Sequence, residues 1–171
     1  MKDYQTPLTD KDIAELSVGD RITVSGYIFC GRDAVLPKLV RMIEDGSIDD
    51  SGIDLHGGVI FHTAVSPAGV GPTSSNKAEI EGSFPGLSAG GVKMHLGKGE
   101  ISRETIRMLQ ECHAVYAVIP PVTALLGSKT LEQEVVAFPE EGMEALHRLK
   151  VERYPVIIAA AHGKSIYDKE G

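Results

Sequence analysis

Three short segments combine glycine with a cationic or hydroxyl side chain: residues 30–34 (CGRDA), residues 71–77 (GPTSSNK) and residues 97–100 (GKGE). Each segment lies where a predicted strand ends or a predicted helix begins. Backbone N–H groups at a helix start, together with a nearby Arg or Lys, bind anions. One such segment alone is more often a surface loop with a helix cap. All three together favour a pocket for a small ligand with several negative charges, bound by residues such as Arg32, Thr73 and Lys98.

Other chemistries find little support in the sequence. Residues 163–165 (GKS) resemble the end of a phosphate-binding loop, but Ile158 stands where that motif requires glycine. There is no GxSxG sequence for a nucleophilic serine, and none of the six histidines falls in a zinc-binding spacing. Two cysteines, Cys30 and Cys112, are fewer than the roughly three or four thiolates that an iron–sulfur cluster needs. We therefore assign no metal ligand to this chain and expect any metal chemistry to use ligands from another chain.

Composition narrows the class of protein. The 171 residues include 24 acidic and 17 basic side chains, giving a formal net charge of −7, which argues against nucleic acid as the main partner. No apolar run reaches the roughly 20 residues of a membrane span, and the first residues (MKDYQ) lack the pattern of a signal peptide. Two cysteines cannot form a disulfide framework, so we expect a protein of the reducing cytoplasm. Without a membrane span, we expect no membrane partner.

The elements that must position the three segments alternate between strands and short helices. Strands are predicted at 21–30, 58–62, 92–96, 114–119, 131–138 and 151–161. Helices are predicted from Thr9, from Asp33 to Gly46, from Thr73 to the residue before Pro85, from Ser102, and at 142–149, with a loop at 66–72 and an ambiguous stretch at 122–126. This alternation indicates an α/β fold, in a single domain over residues 1–171. The irregular spacing argues against a simple doubly wound sheet.

Four stretches in this order carry a family resemblance: GDRITVSGYIFCGRDA, GGVIFHTAVSP followed by GPTSS, MHLGKGEIS, and EGMEALHRLKVERYPVII. Together they resemble the β subunit, or C-terminal region, of class I iron–sulfur fumarate hydratases and L(+)-tartrate dehydratases. The resemblance extends from about Pro7 to Tyr167. It implies a swivelling β/β/α domain, with a mixed sheet and short flanking helices.

The resemblance also implies a function. The chain would be a hydro-lyase β subunit, active only with an α subunit that carries a 4Fe-4S cluster, in an α2β2 assembly. The implied reaction is the reversible hydration of fumarate to malate. One alternative is an L(+)-tartrate dehydratase β subunit or a related hydroxy-diacid dehydratase. Another is a non-catalytic module that binds a dicarboxylate.

Family motifs assign roles to individual residues by the same resemblance. Thr73 matches the position of the general base that handles the carbon-bound proton. Arg32 and Lys98 match groups that bind substrate carboxylates. Ser75 would donate a hydrogen bond to the substrate.

Two positions depart from the usual family pattern. Lys77 stands where GPTxSxR has arginine, which keeps the charge but loses the bidentate fork that suits a carboxylate. Lys77 is still expected to bind substrate. Leu36 stands where the family commonly has the histidine of RDAAH. Both departures permit a different hydroxy-diacid as substrate, or a paralogue with reduced activity.

Overall fold

A computed structural model describes residues 1–66, 69–73, 77–120 and 129–168. Within these ranges the strands are β1 (Asp3–Gln5), β2 (Arg21–Cys30), β3 (Val59–Phe61), β4 (Thr63–Ser66), β5 (Gly69–Thr73), β6 (Met94–Gly97), β7 (Val115–Val118), β8 (Thr130–Ala137), β9 (Leu146–Ala161) and β10 (Lys164–Ser165). The helices are α1 (Asp10–Glu15), α2 (Leu36–Asp45), α3 (Lys77–Ala89) and α4 (Arg103–Glu111), with 3₁₀ helices at Ser47–Asp50 and Pro139–Glu144.

Five strands close into a small barrel. Their order is β2, β3, β6, β7 and β9, and β9 pairs back onto β2. β1 and β8 extend this sheet beside β2 and β9, while β4 and β5 form a separate two-stranded hairpin. The barrel closes because β9, which is 16 residues long, pairs antiparallel with both β2 and β7.

Alternation along the strands fills the barrel with apolar side chains. Every second residue of the short parallel strands points inward, such as Val59 and Phe61 of β3 and Met94 and Leu96 of β6. The intervening residues face outward and are covered by helices. Ile60 of β3 packs in a cluster with residues of α2 and α3. The fold is therefore a barrel with a layer of short helices around it.

The architecture confirms the predicted α/β class with a mixed sheet and short helices. β2 has the predicted bounds: burial alternates over its first four residues, and its last three residues are all buried. Ser102 caps α4 as predicted, since its hydroxyl accepts a hydrogen bond from the backbone N–H of Thr105. Thr9 likewise caps α1, in a capping box with Asp12.

Two predictions around the second segment are wrong. The stretch predicted as a loop at 66–72 contributes to the β4–β5 hairpin, and Thr73 is the last residue of β5 instead of the first of a helix. α3 begins at Lys77 and runs through Pro85, which was expected to stop it. Phe84 and Leu87 on either side of the proline are fully buried. This packing holds the helix together despite the hydrogen bond that proline cannot make.

Further corrections concern local ends and one helix. The helix predicted at 142–149 is a 3₁₀ turn followed by β9, which pairs with β2 and β8 from its first residues. The N-cap of α2 is Val35 rather than Asp33, and it makes no side-chain capping bond. The stretch at 122–126 lies outside the described residues. No helix within the described ranges has both the length and the apolar character of a membrane span.

Candidate functional site

One end of the barrel, which we call the carboxyl edge, is formed where the parallel strands β2, β3 and β6 end. Cys30, Phe61 and Leu96 pair side by side across these strands. Arg32 lies two residues beyond this row on one outer strand, and Lys98 lies two residues beyond it on the other. Because neighbouring strands are about 4.8 Å apart, the chain segments with these two cations are brought to the same edge.

Thr73 reaches the same edge through the hairpin. Thr63 lies two residues beyond Phe61 of β3, just as Arg32 and Lys98 lie two residues beyond Cys30 and Leu96. In the hairpin, Thr63 is the Cα partner of Thr73. The backbone therefore brings the Thr73 segment beside the end of β3, between the ends of β2 and β6.

Two other predicted site residues, Ser75 and Lys77, belong to the same segment as Thr73. Lys77 is the first residue of α3, four residues after Thr73. Ser75 lies outside the described residues. The roles of Arg32, Ser75, Lys77 and Lys98 in substrate binding, and of Thr73 in catalysis, remain predictions.

Arg32 presents an incompletely bonded cation at the carboxyl edge. Its Nε is buried and has no hydrogen-bond partner among the described residues. The carboxylates of Asp33 and Glu144 each lie 3.9 Å from this nitrogen, too far for a hydrogen bond. A buried donor without an acceptor is unfavourable, so the site gains if a ligand carboxylate supplies the acceptor.

The turn after β2 fixes the backbone of Arg32. The Gly31 N–H donates to the Phe61 carbonyl of β3, and the Arg32 carbonyl accepts from the N–H groups of Val35 and Leu36. The Leu36 side chain is buried and approaches the Cα of Gly31 closely, so a Cβ at position 31 would lie 3.0 Å from it. Position 36 therefore contributes to the core beneath α2.

Tyr116 shapes the loop that carries Lys98. Its hydroxyl donates to the carbonyl of Gly99 at 3.1 Å, and burial raises the pKa of this hydroxyl, which keeps it protonated as a donor. A Cβ at Gly97 would lie 3.1 Å from the hydroxyl oxygen of Tyr116. Gly99 has a φ of 78°, which residues with a side chain rarely adopt. The close approach at Gly97 and the positive φ at Gly99 explain why glycine stands on both sides of Lys98. The side chain of Lys98 itself is exposed.

Two buried histidines lie under the carboxyl edge. His62 directly follows β3, and its Nε2 is 3.5 Å from Nδ1 of His95 on β6. Nε2 of His95 is 2.9 Å from the hydroxyl of Ser88 on α3. The ring of His95 stacks on Phe84 with centroids 4.1 Å apart. Burial lowers the pKa of His62 to about 3 and that of His95 well below its usual value, so both imidazoles are neutral.

These pKa shifts predict acid destabilisation of the chain. In the unfolded state His62 titrates near 6.5, whereas in the folded state it stays neutral down to about pH 3. The unfolded state thus binds more protons in this window, and the free energy of unfolding falls as the pH is lowered through it. One histidine contributes a slope of up to about 1.4 kcal/mol per pH unit. The slope is measured by urea unfolding at several pH values between about 5 and 6.5, a range that lies above the pKa of most carboxylates.

Two variants test the source of this slope. His62→Gln should reduce the slope by about half, because His95 would remain. His56→Gln is the matched control, since the side chain of His56 is exposed on the surface. An unchanged slope in His62→Gln would show that the pH dependence has another origin.

The described residues do not fit the ligand set of an iron–sulfur cluster. Cys30 is fully buried in the barrel core, where burial raises the pKa of its thiol and opposes the thiolate. Cys112 ends α4 and its thiol contacts the sulfur of Met108. No group of three or more metal-ligating side chains occurs in the described part of the chain. A cluster would need ligands from elsewhere.

A cavity of about 540 Å³ lies away from the carboxyl edge, between the last turns of α2 and α3. Its ionisable lining residues are Asp49, Asp54 and His56. Acidic residues repel an anionic ligand. The cavity therefore does not suit the ligand class that the three glycine-containing segments predict.

Sequence reasoning missed the histidine pair and Glu144. The histidines lack a zinc-binding spacing, yet His62 ends one predicted buried strand and His95 directly precedes the LGKG sequence at the end of another. A polar aromatic residue in each of two buried strands was the available signal. Nothing in the local sequence connects Glu144 with Arg32, because 111 positions separate them and only β9 pairing brings them together.

Comparison with known proteins identifies relatives over nearly the whole chain. A family model described as Fumarase C-terminus matches residues 2–170. A putative L(+)-tartrate dehydratase subunit beta of Methanocaldococcus jannaschii is 30% identical over 177 residues, covering 95% of this chain and 89% of that protein. The L(+)-tartrate dehydratase subunit beta of Escherichia coli K12 is 29% identical, covering 94% and 84%.

A longer relative matches only in part. A putative fumarate hydratase class I of Geobacillus stearothermophilus is 28% identical over 178 residues, covering 96% of this chain. The chain spans 33% of the length of that protein. The match thus corresponds to one portion of a larger polypeptide.

Proposed function

Because the chain belongs to the fumarase C-terminal family, we propose that it is the β subunit of a hydro-lyase that reversibly hydrates fumarate to malate. In this proposal the chain acts as a single domain in the cytoplasm. It is active only with an α subunit, in an α2β2 assembly. The "subunit beta" names of its relatives support the need for a partner.

One observation carries the proposal. The closed barrel brings the chain segments of Arg32, Thr73 and Lys98 to the carboxyl edge, although they are far apart in the sequence. Two cationic residues and a hydroxyl residue at one edge suit a small dicarboxylate. The buried Nε of Arg32, which lacks a hydrogen-bond partner among the described residues, supports a carboxylate as the ligand.

The two cations have complementary tasks in this mechanism. Arg32 binds one substrate carboxylate through its planar guanidinium, which can donate two parallel hydrogen bonds. Lys98 faces the other carboxylate as a compact positive charge. Negative charge builds up next to a carboxylate when the carbon-bound proton leaves, and a cation placed there stabilises it.

Thr73 transfers the carbon-bound proton. In the dehydration direction its oxygen accepts the proton from the carbon next to a carboxylate, and in hydration it returns the proton. A neutral hydroxyl is too weak a base, so the acceptor in this step is its alkoxide form, which becomes the hydroxyl when it takes the proton. Positive charge from Lys77 and Lys98 favours that alkoxide. Ser75 adds a hydrogen bond to the substrate. In this proposal the partner subunit, not this chain, assists the departure of the substrate hydroxyl.

The cofactor belongs to the partner in this proposal. Cys30 lies in the barrel core and Cys112 at the end of α4, so the thiols of this chain are poorly placed for cluster ligation. We propose that the α subunit ligates a 4Fe-4S cluster. The present chain supplies binding, orientation and proton transfer.

L(+)-tartrate is the second candidate substrate. Two relatives that this chain matches over most of their length are named as L(+)-tartrate dehydratase subunit beta, one of them with the word putative. Lys77 in place of the usual arginine also permits a substrate of different shape or polarity. Tartrate carries one more hydroxyl than malate, and a site built to hydrogen-bond that group discriminates strongly between the two.

Reconstitution tests the proposed function. The chain is purified alone and together with a candidate α subunit under anaerobic conditions. We expect no activity and no iron–sulfur absorbance from the chain alone. The complex should convert at least one of fumarate, mesaconate and L(+)-tartrate, and its mass should correspond to two copies of each subunit.

Two outcomes would contradict the proposal. Hydration of fumarate by the chain alone, without iron, would overturn the partner requirement. An intact complex that binds a dicarboxylate but converts none of the substrates would instead favour the non-catalytic binding module.

A further inference from the structure

One chain of buried polar side chains connects three elements of the protein. His62 lies between β3 and β4, His95 lies in β6, and Ser88 lies in the last turns of α3. The contacts are 3.5 Å between the two imidazoles and 2.9 Å between His95 and the Ser88 hydroxyl. This network, His62–His95–Ser88, thus ties the helix to two neighbouring strands of the barrel.

Each of these elements leads to a residue of the proposed site. His62 is followed directly by Thr63, which is the Cα partner of Thr73 in the hairpin. His95 is three residues before Lys98 on β6. α3, which carries Ser88, begins at Lys77. The network therefore links the elements that lead to the proton-transfer residue and to two of the cations.

The surroundings make these contacts sensitive to geometry. His62, His95 and Ser88 are 1%, 0% and 8% exposed. Phe84 of α3 stacks on His95 and lies with its ring centroid 4.9 Å from that of His62. Hydrogen bonds in such an apolar environment are strong, and a buried polar group that loses its partner is costly. Apolar packing tolerates small shifts of a helix on a sheet, whereas this network favours one placement.

We propose that His62, His95 and Ser88 are positioning residues, which set the placement of the Thr73, Lys77 and Lys98 segments relative to one another at the carboxyl edge. The inference rests on the proposed function of that edge. The network acts through the backbone of the strands and of α3, and none of its members is assigned contact with substrate.

The network does not include the element that carries Arg32. Arg32 lies between β2 and α2 and is held by the turn after Gly31. Loss of the network should therefore disturb the alignment of Thr73 with the substrate more than binding through Arg32. Displacements of a fraction of an ångström at a reacting group lower the rate well before they abolish binding.

Ser88→Ala tests the network with a minimal change. In the reconstituted complex we expect kcat to fall by about fivefold or more and KM to change by less than about twofold. Ser83→Ala is the matched control, because Ser83 is also buried in α3 but lies outside the network. It should leave both constants within about twofold of the wild type. His95→Phe, which keeps a ring to stack on Phe84, should show the same pattern with a larger loss.

A second measurement does not depend on activity. In amide NMR spectra of the chain alone, Ser88→Ala should shift the resonances of Thr73 and Lys98, whereas Ser83→Ala should not. If the wild-type complex converts no dicarboxylate, the proposed function fails, yet this comparison still tests the network. Shifts confined to α3, or equal kinetic effects of Ser88→Ala and Ser83→Ala, would overturn the inference.

Discussion

Replacing Thr73 with alanine should lower the turnover of the reconstituted complex by about 10²–10⁴-fold, the usual contribution of a positioned proton-transfer group. The hydroxyl oxygen is the proposed acceptor of the carbon-bound proton, and alanine offers no substitute. KM should change much less, because Arg32 and Lys98 still bind the carboxylates. Steady-state kinetics with malate or L(+)-tartrate, together with exchange of the carbon-bound proton with solvent, measure both effects.

Two further variants serve as controls for the Thr73→Ala result. Thr73→Ser keeps the hydroxyl and should retain turnover within about tenfold of the wild type. Thr23→Ala removes a threonine hydroxyl near the start of β2, where it donates to Asp3, far from the carboxyl edge. That control should change turnover by less than about twofold. A loss below about fivefold in Thr73→Ala would remove Thr73 from proton transfer.

Arg32→Ala should lower kcat/KM by about 30- to 1,000-fold, which corresponds to roughly 2–4 kcal/mol. The guanidinium is the proposed partner of a substrate carboxylate, and its buried Nε has no hydrogen bond within the described residues to compensate for its loss from solvent. Arg32→Lys should lose less, because it keeps the charge but not the two parallel donors. Initial rates at low substrate concentration give kcat/KM directly.

Arg41→Ala is the matched control for this change. Arg41 is an exposed arginine on α2, the helix that follows Arg32. It should leave kcat/KM within about twofold of the wild type. Equal effects of Arg32→Ala and Arg41→Ala would show that Arg32 contributes only surface charge.

Local patterns were sufficient for several elements. The run from Arg21 to Cys30 has the strand bounds that its alternation predicts, and Gly46 ends α2 in the left-handed conformation typical of a helix C-terminus. Ser102 caps α4 as its spacing indicates. These features depend on residues within one or two turns of each other, so short-range physical chemistry decides them.

Predictions failed where strand pairing, near or distant in the sequence, decides the structure. The segment before Thr73 is rich in glycine and proline and looks like a loop, yet it pairs as β5 with β4. Leu146 and His147 lie in a stretch with helical character, but pairing with β2 and β8 makes them the start of β9. Pairing with a neighbouring strand overrides a weak local propensity in both cases.

The sequence by itself determined which residue types the proposed site can use: an acidic chain with too few thiols for a cluster, and Arg32, Thr73 and Lys98 in glycine-containing segments. Motif order also determined the family, which the match over residues 2–170 shows. Only the tertiary structure decided which segments meet at one edge and that His62 and His95 lie side by side beneath the ends of β3 and β6. The reason is that strand register depends on pairing between residues far apart in the chain, and local periodicity does not encode that pairing.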